Sequence, residues 1–471
     1  MATELQNKKI LVVGLAREGV ALCRFLAAQG ARVTVTDMKE PDALQPQLAQ
    51  VAGLPLRLSL GGHRLDDLLD TDLVCLSPGV PPDIELIQAA RATNIPISSA
   101  TALFFERCRA HIVGVTGSSG KTTTTALVGA MLAAAGLSPT VGGNIGRPLI
   151  EQVDDFLPED WVVLELSSFQ LEPLRQSPHI AVITNLAPDH FDRHPTFADY
   201  AEAKSQIIRH QTPGDFAVLN RDDSNVWAMS HLTPARPVPF SLSSDPAVDG
   251  SFCDGTCLWV RWNGRPKRLL PAADVPLRGD HNLANVCAAA AVAVAARVPA
   301  AAIAQAIRSF QPLPHRLEGV DDVDGVLYVD DSIATTPFRA MAGIQSFSQP
   351  ILLLAGGRGK RLPLDAWAEL VRRRCRVVVL FGEASEEMAG ALAGAGDTPL
   401  VILRAPILSD AVRLAHSLAR RGDIVLLSPG ATSFDEFNDY AARGDAFRHI
   451  VAALATNHVA ASPPATAVGN R

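Results

Sequence analysis

At 471 residues, 48% of them hydrophobic and 19% charged, the chain can bury several cores, which excludes a disordered protein and suggests roughly two to four domains. A net charge of −7 without a long basic run argues against a nucleic-acid partner. The seven cysteines are dispersed; only Cys253 and Cys257 lie close together, with no second pair or nearby His to complete a zinc site, and such a set suits a reducing compartment.

In chain order, the first residues pass straight into the apolar strand KKILVVGL (8–15) with no leader pattern ahead of it, so the cytoplasm is the expected location. A helical stretch from Arg17 to Gln29 and a second strand ending at Asp37 complete a βαβ unit. Gly14 and Gly19 stand at its turn, and an acid follows 23 residues after Gly14. GLAREG lacks the middle glycine that lets backbone touch a pyrophosphate, so the turn suits a nucleotide-shaped site better than a dinucleotide one. A third strand, DLVCLSPGV (72–80), ends in Ser77-Pro78-Gly79, at the carboxyl edge where open α/β sheets take ligands; a plain turn would read the same.

Residues 112–125, IVGVTGSSGKTTTT, are the organising stretch. An apolar strand, a glycine turn (Gly117, Ser118, Ser119, Gly120) and a helix opening Lys121-Thr122-Thr123 form a phosphate-binding arrangement. Glycines admit an anion to backbone N–H groups, Lys121 reaches outer phosphates, and Thr122 offers a hydroxyl to Mg²⁺. Val115 stands where the general nucleotide motif has glycine, which leaves the narrower spelling GxTGxxGKT.

VGGNIGRPL (141–149) is a further turn cluster. WVVLELSSFQLE (161–172) reads as a buried strand ending in polar residues, with Glu165 costly in its apolar run unless it meets a cation. IAVITNLAPDHFDRHP (180–195) repeats strand then polar loop and carries His190 and His194, and a helix over 197–210 carries Lys204. His190 and His194 as a zinc pair is disfavoured by Pro195. Residues 216–270 read as an edge or an added small sheet, and 279–296 as a buried helix bearing Asn282 and Asn285 on one face, too short in its apolar run to span a bilayer. Beyond Pro312 and Pro314, strands and helices alternate again, with Gly356-Gly357-Arg358-Gly359-Lys360 as a second glycine turn that lacks a Ser or Thr after its Lys.

Nine motifs in order (GVTGSSGKTT, GGNIG, ELSSFQLE, DHFDRH, the helix Lys204, HNLAN, LPHRLE, DDSIATTP and SPGATSFDEF) resemble the Mur ligase family over nearly the whole chain. The resemblance implies three α/β domains: a Rossmann-like N-terminal domain (1–108), a central P-loop ATPase-type domain with an added small β-sheet (109–313) and a C-terminal Rossmann-like domain (314–456), followed by a disordered tail (457–471). It implies ATP-dependent, ADP-forming amide synthesis in cytoplasmic peptidoglycan assembly, with D-glutamate joined to UDP-N-acetylmuramoyl-L-alanine through an acyl phosphate. By resemblance Lys121, Glu165, His190 and Lys204 are catalytic; Thr122 and Glu165 hold one Mg²⁺, and His190 and a carbamylated Lys204 a second. Asn144, Asn282, Asn285, Arg316 and Asp331 join the glycine turn around ATP. Gly14, Leu15, Arg17, Glu18, Asp37, Ser77, Pro78 and Gly79 take the UDP end, and Thr335, Lys360, Ser433 and Tyr440 take glutamate. The implied partners are small molecules, without nucleic acid or membrane, and the implied state is a monomer. Ile333 stands where many members carry lysine, and a sister ligase adding L-glutamate or another amino acid is the alternative. A non-catalytic nucleotide sensor and a dinucleotide-dependent oxidoreductase are the competitors from other classes.

Overall fold

The computed structural model describes residues 4–189, 193–243, 245, 247–393 and 400–461. The chain divides into two compact units, Met1–Val275 with Leu283–Phe310, and Pro276–Asn282 with Gln311–Arg471.

The first unit contains two sheets. The leading one has five parallel strands in the spatial order Leu56–Leu60, Arg32–Asp37, Lys9–Val13, Leu73–Leu76, Ile97–Ser98. Its central strand is buried from Ile10 to Val13, the pattern of a parallel strand covered on both faces. The helix Arg17–Ala28 packs Val20, Leu22, Phe25 and Leu26 against it.

The second sheet has nine strands. His111–Thr116 lies at its functional centre, flanked in parallel by Trp161–Glu165 and Ile180–Ile183, which brings three strand ends to one edge. The β-rich stretch after residue 216 is an edge of this sheet and not a sheet apart: Phe216–Asn220 pairs in parallel with Ile180–Ile183, and the outer strands follow from it. Ala217, Val218 and Leu219 are buried on both faces, and the strand is paired on both sides, with Ile180–Ile183 and with Arg236–Ser241. The helix Asp280–Ala295 is apolar because it is enclosed: every residue from Val286 to Ala293 is at most 1% exposed.

Among its described residues the second unit carries six strands in the order Glu318–Val323, Val326–Asp330, Ile424–Gly430, Ile351–Gly356, Cys375–Phe381, Val401–Arg404. Only the first is antiparallel to its neighbour.

Two expectations change. The run 161–172 is a strand only to Glu165; Ser168–Leu171 is a helical turn, closed by a capping box between Ser167 and Gln170. The expected disordered tail begins as helix, since the last helix is Tyr440–Ala461. Its end is rich in alanine, with the first proline only at 463, so helix propensity carries it on. Residues 462–471 lie outside the described residues. Among the described residues no helix is long and apolar enough to cross a membrane.

Candidate active site

The glycine turn joins the strand His111–Thr116 to the helix Lys121–Ala134. Gly117 has φ 149°, and a Cβ there would meet Thr184 Oγ1 at 1.9 Å; Gly120, at φ 79°, is the left-handed N-cap of the helix. The turn is fixed from behind by the loop after Ile180–Ile183. Ser118 N donates to Asn185 O at 3.0 Å, Ser119 N to Asn185 Oδ1 at 3.0 Å, and Thr184 Oγ1 to Ser119 O at 2.7 Å. Lys121 Nζ folds over the turn and donates to Gly117 O at 2.9 Å and Ser118 O at 3.3 Å. A preformed turn, a helix N-terminus and an ammonium held at the same place make an anion site. Thr122 is half-buried, Thr123 is buried in the same first turn, and Asn285 lies behind Gly120, with Thr124 Oγ1 3.4 Å from its Oδ1.

Glu165 ends the adjacent strand, opposite Val115 in the register. Its carboxylate is 2% exposed; Oε1 accepts from Asn144 Nδ2 at 2.8 Å, and Oε2 has no hydrogen-bond partner among the described residues. An ionised oxygen buried without a donor costs several kcal/mol, so this position fits a hard cation. Lys204 is buried to 1% exposure, and its Nζ donates to Gly117 O at 3.0 Å and Thr116 Oγ1 at 3.4 Å, with the Tyr200 ring at 4.6 Å. The lysine that the sequence places in an ordinary helix therefore reaches the glycine turn. His190 lies outside the described residues. His194 is buried, stacks on Phe169 and pairs with Ser168 Oγ at 3.0 Å. Burial holds its pKa below the usual imidazole value, so it packs as a neutral ring.

In the leading sheet, Gly14 (φ 92°) turns so that Leu15 N donates to Asp37 Oδ2 at 2.7 Å and Ser77 Oγ donates to Gly14 O at 2.8 Å. Pro78 and Gly79 continue that rim. Arg17 and Glu18 reach instead to the central sheet's loops: Arg17 donates to Asn144 O, and Glu18 Oε1 accepts from Gln170 Nε2. Burial raises the Glu18 pKa, against the lowering pull of Gln170 and Arg17.

Within the second unit, Asp331 is 6% exposed and its Oδ2 accepts from Ser428 Oγ at 2.7 Å. Burial, reinforced by neighbouring Asp330, raises its pKa to about 7. Asn282 Nδ2 donates to Arg278 O at 2.8 Å, and Arg316 is half-buried. Of the residues expected around glutamate, Ser433 is buried, Thr335 half-buried, and Lys360 and Tyr440 exposed. His315, Glu318 and Asp330 cluster closely enough to suggest a metal. Arg448 already supplies the cation, 3.1 Å from Glu318 and 3.8 Å from Asp330, and the group reads as an ion-pair network.

Sequence reasoning missed Arg443. Fully buried, it donates to Ser332 Oγ and O, to Ala431 O and to Gly356 O, tying together the ends of three strands. Burial lowers its pKa to about 10, and nothing in the local sequence separates it from a surface helix arginine. Gln170 was legible in principle, because Ser167 three residues before it spells a capping box.

Three family descriptions match along the chain: Mur ligase MurD-like N-terminal domain over residues 8–99, Mur ligase middle domain over 115–293, and Mur ligase glutamate ligase domain over 315–431. A UDP-N-acetylmuramoylalanine–D-glutamate ligase of Geotalea uraniireducens is 44% identical over 96% of this chain and 98% of its own length. One of the same name from Symbiobacterium thermophilum is 41% identical over 96% of this chain and all of its own. Among solved structures, the UDP-N-acetylmuramate–alanine ligase of Thermotoga maritima matches with a TM-score of 0.59 at 21% identity, covering 94% of this chain and 99% of that one. A pseudomurein peptide ligase of Methanothermus fervidus matches at 0.60 and 17%, covering 95% and 100%. At such identities the structures speak for the fold alone. The full-length relatives and the three domain matches, set on a strand–glycine turn–helix with a buried carboxylate beside it, establish that the chain belongs to the Mur ligase family.

Proposed function

We propose that the chain is an ATP-dependent, ADP-forming ligase that joins D-glutamate to UDP-N-acetylmuramoyl-L-alanine in peptidoglycan synthesis. The observation that carries the reading is the orphaned Glu165 Oε2, buried one strand from the glycine turn. Support for the substrate comes from full-length relatives named for D-glutamate addition. We assign the UDP end to residues 1–108, nucleotide and catalysis to 109–313, and the incoming amino acid to 314–456.

The chemistry starts from a poor electrophile. A free carboxylate resists attack by an amine, and its oxygen is a poor leaving group; transfer of the γ-phosphoryl makes an acyl phosphate and releases ADP. The glutamate amine then attacks the carbonyl, phosphate leaves with the C–O electron pair, and the amine proton passes to a base. Lys121, now bonded to loop carbonyls, is placed to swing onto the β- and γ-phosphates, and the helix N-terminus adds its dipole. Thr122 and Glu165 would hold Mg²⁺, which screens one anion from another during transfer. Asn144 fixes the Glu165 carboxylate in orientation. Arg316, Asp331, Asn282 and Asn285 are the remaining nucleotide contacts.

A second ion at His190 and a carbamylated Lys204 belongs to the same proposal. What supports it is the placement of Lys204: an amine buried at the glycine turn is an odd neighbour for a cation site unless it becomes a carbamate, an anion. Thr335, Lys360, Ser433 and Tyr440 are proposed to hold the two glutamate carboxylates. The chain acts on small molecules, is placed in the cytoplasm and works as a monomer.

The test is turnover of UDP-N-acetylmuramoyl-L-alanine and ATP with each glutamate enantiomer. ADP release dependent on D-glutamate is expected. Turnover with L-glutamate alone refutes the substrate assignment, and ATP binding without any amide product refutes the ligase.

A further inference from the structure

Two adjacent side chains in the first turn of the leading sheet leave that sheet and grip the central one. Arg17 donates to the backbone carbonyls of Asn144 at 2.9 Å and Gly146 at 3.2 Å. Glu18 Oε1 accepts from Gln170 Nε2 at 2.6 Å. The gripped segments leave two neighbouring strands, Thr140–Gly143 and Trp161–Glu165, whose register sets Gly143 opposite Glu165. The grip therefore straddles Glu165. On one side Asn144 N donates to Glu165 O at 2.8 Å and Asn144 Nδ2 to Glu165 Oε1 at 2.8 Å. On the other, Gln170 closes the turn that Glu165 feeds into, its Oε1 accepting from Ser167 N at 2.9 Å. Packing does not demand this arrangement. Arg17 is exposed, and Glu18 buries an Oε2 that has no partner among the described residues, which costs free energy.

We propose that Arg17 and Glu18 are positioning residues: acting through Asn144 and Gln170, they clasp the Glu165 end of the central sheet, so that the turn receiving the UDP end also sets the affinity for nucleotide with Mg²⁺. The inference rests on the ligase reading for the identity of the two ligands. Its physical content is a coupling between two sites carried by named hydrogen bonds, and such coupling is reciprocal. A Michaelis complex with the UDP-substrate seated against Gly14 and Ser77 holds the turn still; the clasp then hands that rigidity to the carboxylate that binds the ion. Removing Arg17 cuts one side of the clasp and leaves Glu165, Lys121 and the glycine turn chemically intact.

The experiment uses the full-length chain with Arg17→Ala and Arg17→Lys. Calorimetry measures the Kd of a non-hydrolysable ATP analogue with Mg²⁺, first alone and then with saturating UDP-substrate. Arg17→Ala is expected to weaken nucleotide binding roughly fivefold in the absence of UDP-substrate, the size of one ordinary net hydrogen bond, because the exposed donor acts at one remove through Asn144. It also brings the nucleotide Kd values with and without UDP-substrate closer together. Arg17→Lys recovers part of both effects, and KM for ATP rises by more than kcat falls. A nucleotide Kd within twofold of the parent, with only UDP-substrate affinity changed, overturns the inference and makes Arg17 an ordinary substrate contact. A parallel loss of all affinities with lowered Tm, unrecovered by lysine, overturns it as well. Failure of the ligase reading is seen separately, as a parent protein that binds nucleotide and makes no amide.

Discussion

Asp331→Asn separates a stability effect from a binding effect. The Asp331 carboxyl lies buried against Ser428, and its pKa rises from 3.8 to about 7, chiefly through burial. The folded chain then keeps this proton at pH values where the unfolded chain has lost it. The group's contribution to stability is fully present below about pH 4 and is lost as pH rises through about 7. Between pH 5 and 8 the loss amounts to roughly 2.5 kcal/mol, at about 1.36 kcal/mol per pH unit with the last unit flattened by ionisation in the fold. Asparagine cannot ionise, so the variant lacks that slope. The chain has two units and a single Tm would blend them, so hydrogen exchange at the strands Val326–Asp330 and Ile424–Gly430, without nucleotide, is the suitable assay. Protection corrected for intrinsic rates should fall with pH in the parent relative to the variant. If Asp331 contacts the nucleotide as proposed, affinity above about pH 7, where the parent carboxyl is ionised, should be weaker in the variant by roughly ten- to a hundredfold as a charged acceptor is lost. Equal pH slopes in the two proteins would refute the reasoning about Asp331.

Three further outcomes follow from the site. Glu165→Gln keeps an acceptor for Asn144 and removes the charge, so kcat should fall by about 100-fold or more and the Mg²⁺ requirement should shift to higher concentration, read by titrating the metal in a coupled ADP assay. Lys204→Ala should abolish ligation, and short carboxylic acids should restore part of it; a ¹³C carbamate resonance present in the parent under labelled CO₂ should vanish in the variant. Arg443→Lys should destabilise the second unit by about 2–4 kcal/mol in urea melts followed at Trp367, because an ammonium cannot reproduce the planar fork that serves Ser332, Ala431 and Gly356 together.

The glycine turn, its strand and its helix were legible because each carries its own local chemistry: apolar run, left-handed glycines, Lys-Thr at a helix start. Glu165 was legible as an anomaly, a charge inside a buried strand. Lys204 was legible only by resemblance, since a helix lysine announces nothing until the fold buries it beside Gly117. Arg443 was hidden for the same reason: its donors are used on the Ser332 hydroxyl and on backbone carbonyls of Ser332, Gly356 and Ala431, from segments far apart in sequence. The turn Ser167–Gln170 was misread as strand because hydrophobic residues on either side masked a capping signal. The sequence marked GLAREG as a ligand turn but gave no sign that Arg17 and Glu18 point across to another sheet, because cross-sheet hydrogen bonds leave no periodicity to read.

The central claim is that this site moves a phosphoryl group onto a carboxylate before the amide forms. UDP-N-acetylmuramoyl-L-alanine labelled with ¹⁸O in its carboxylate, turned over with ATP and D-glutamate, should pass one labelled oxygen to each inorganic phosphate released. Unlabelled phosphate alongside full amide formation would mean that the carboxylate is activated some other way.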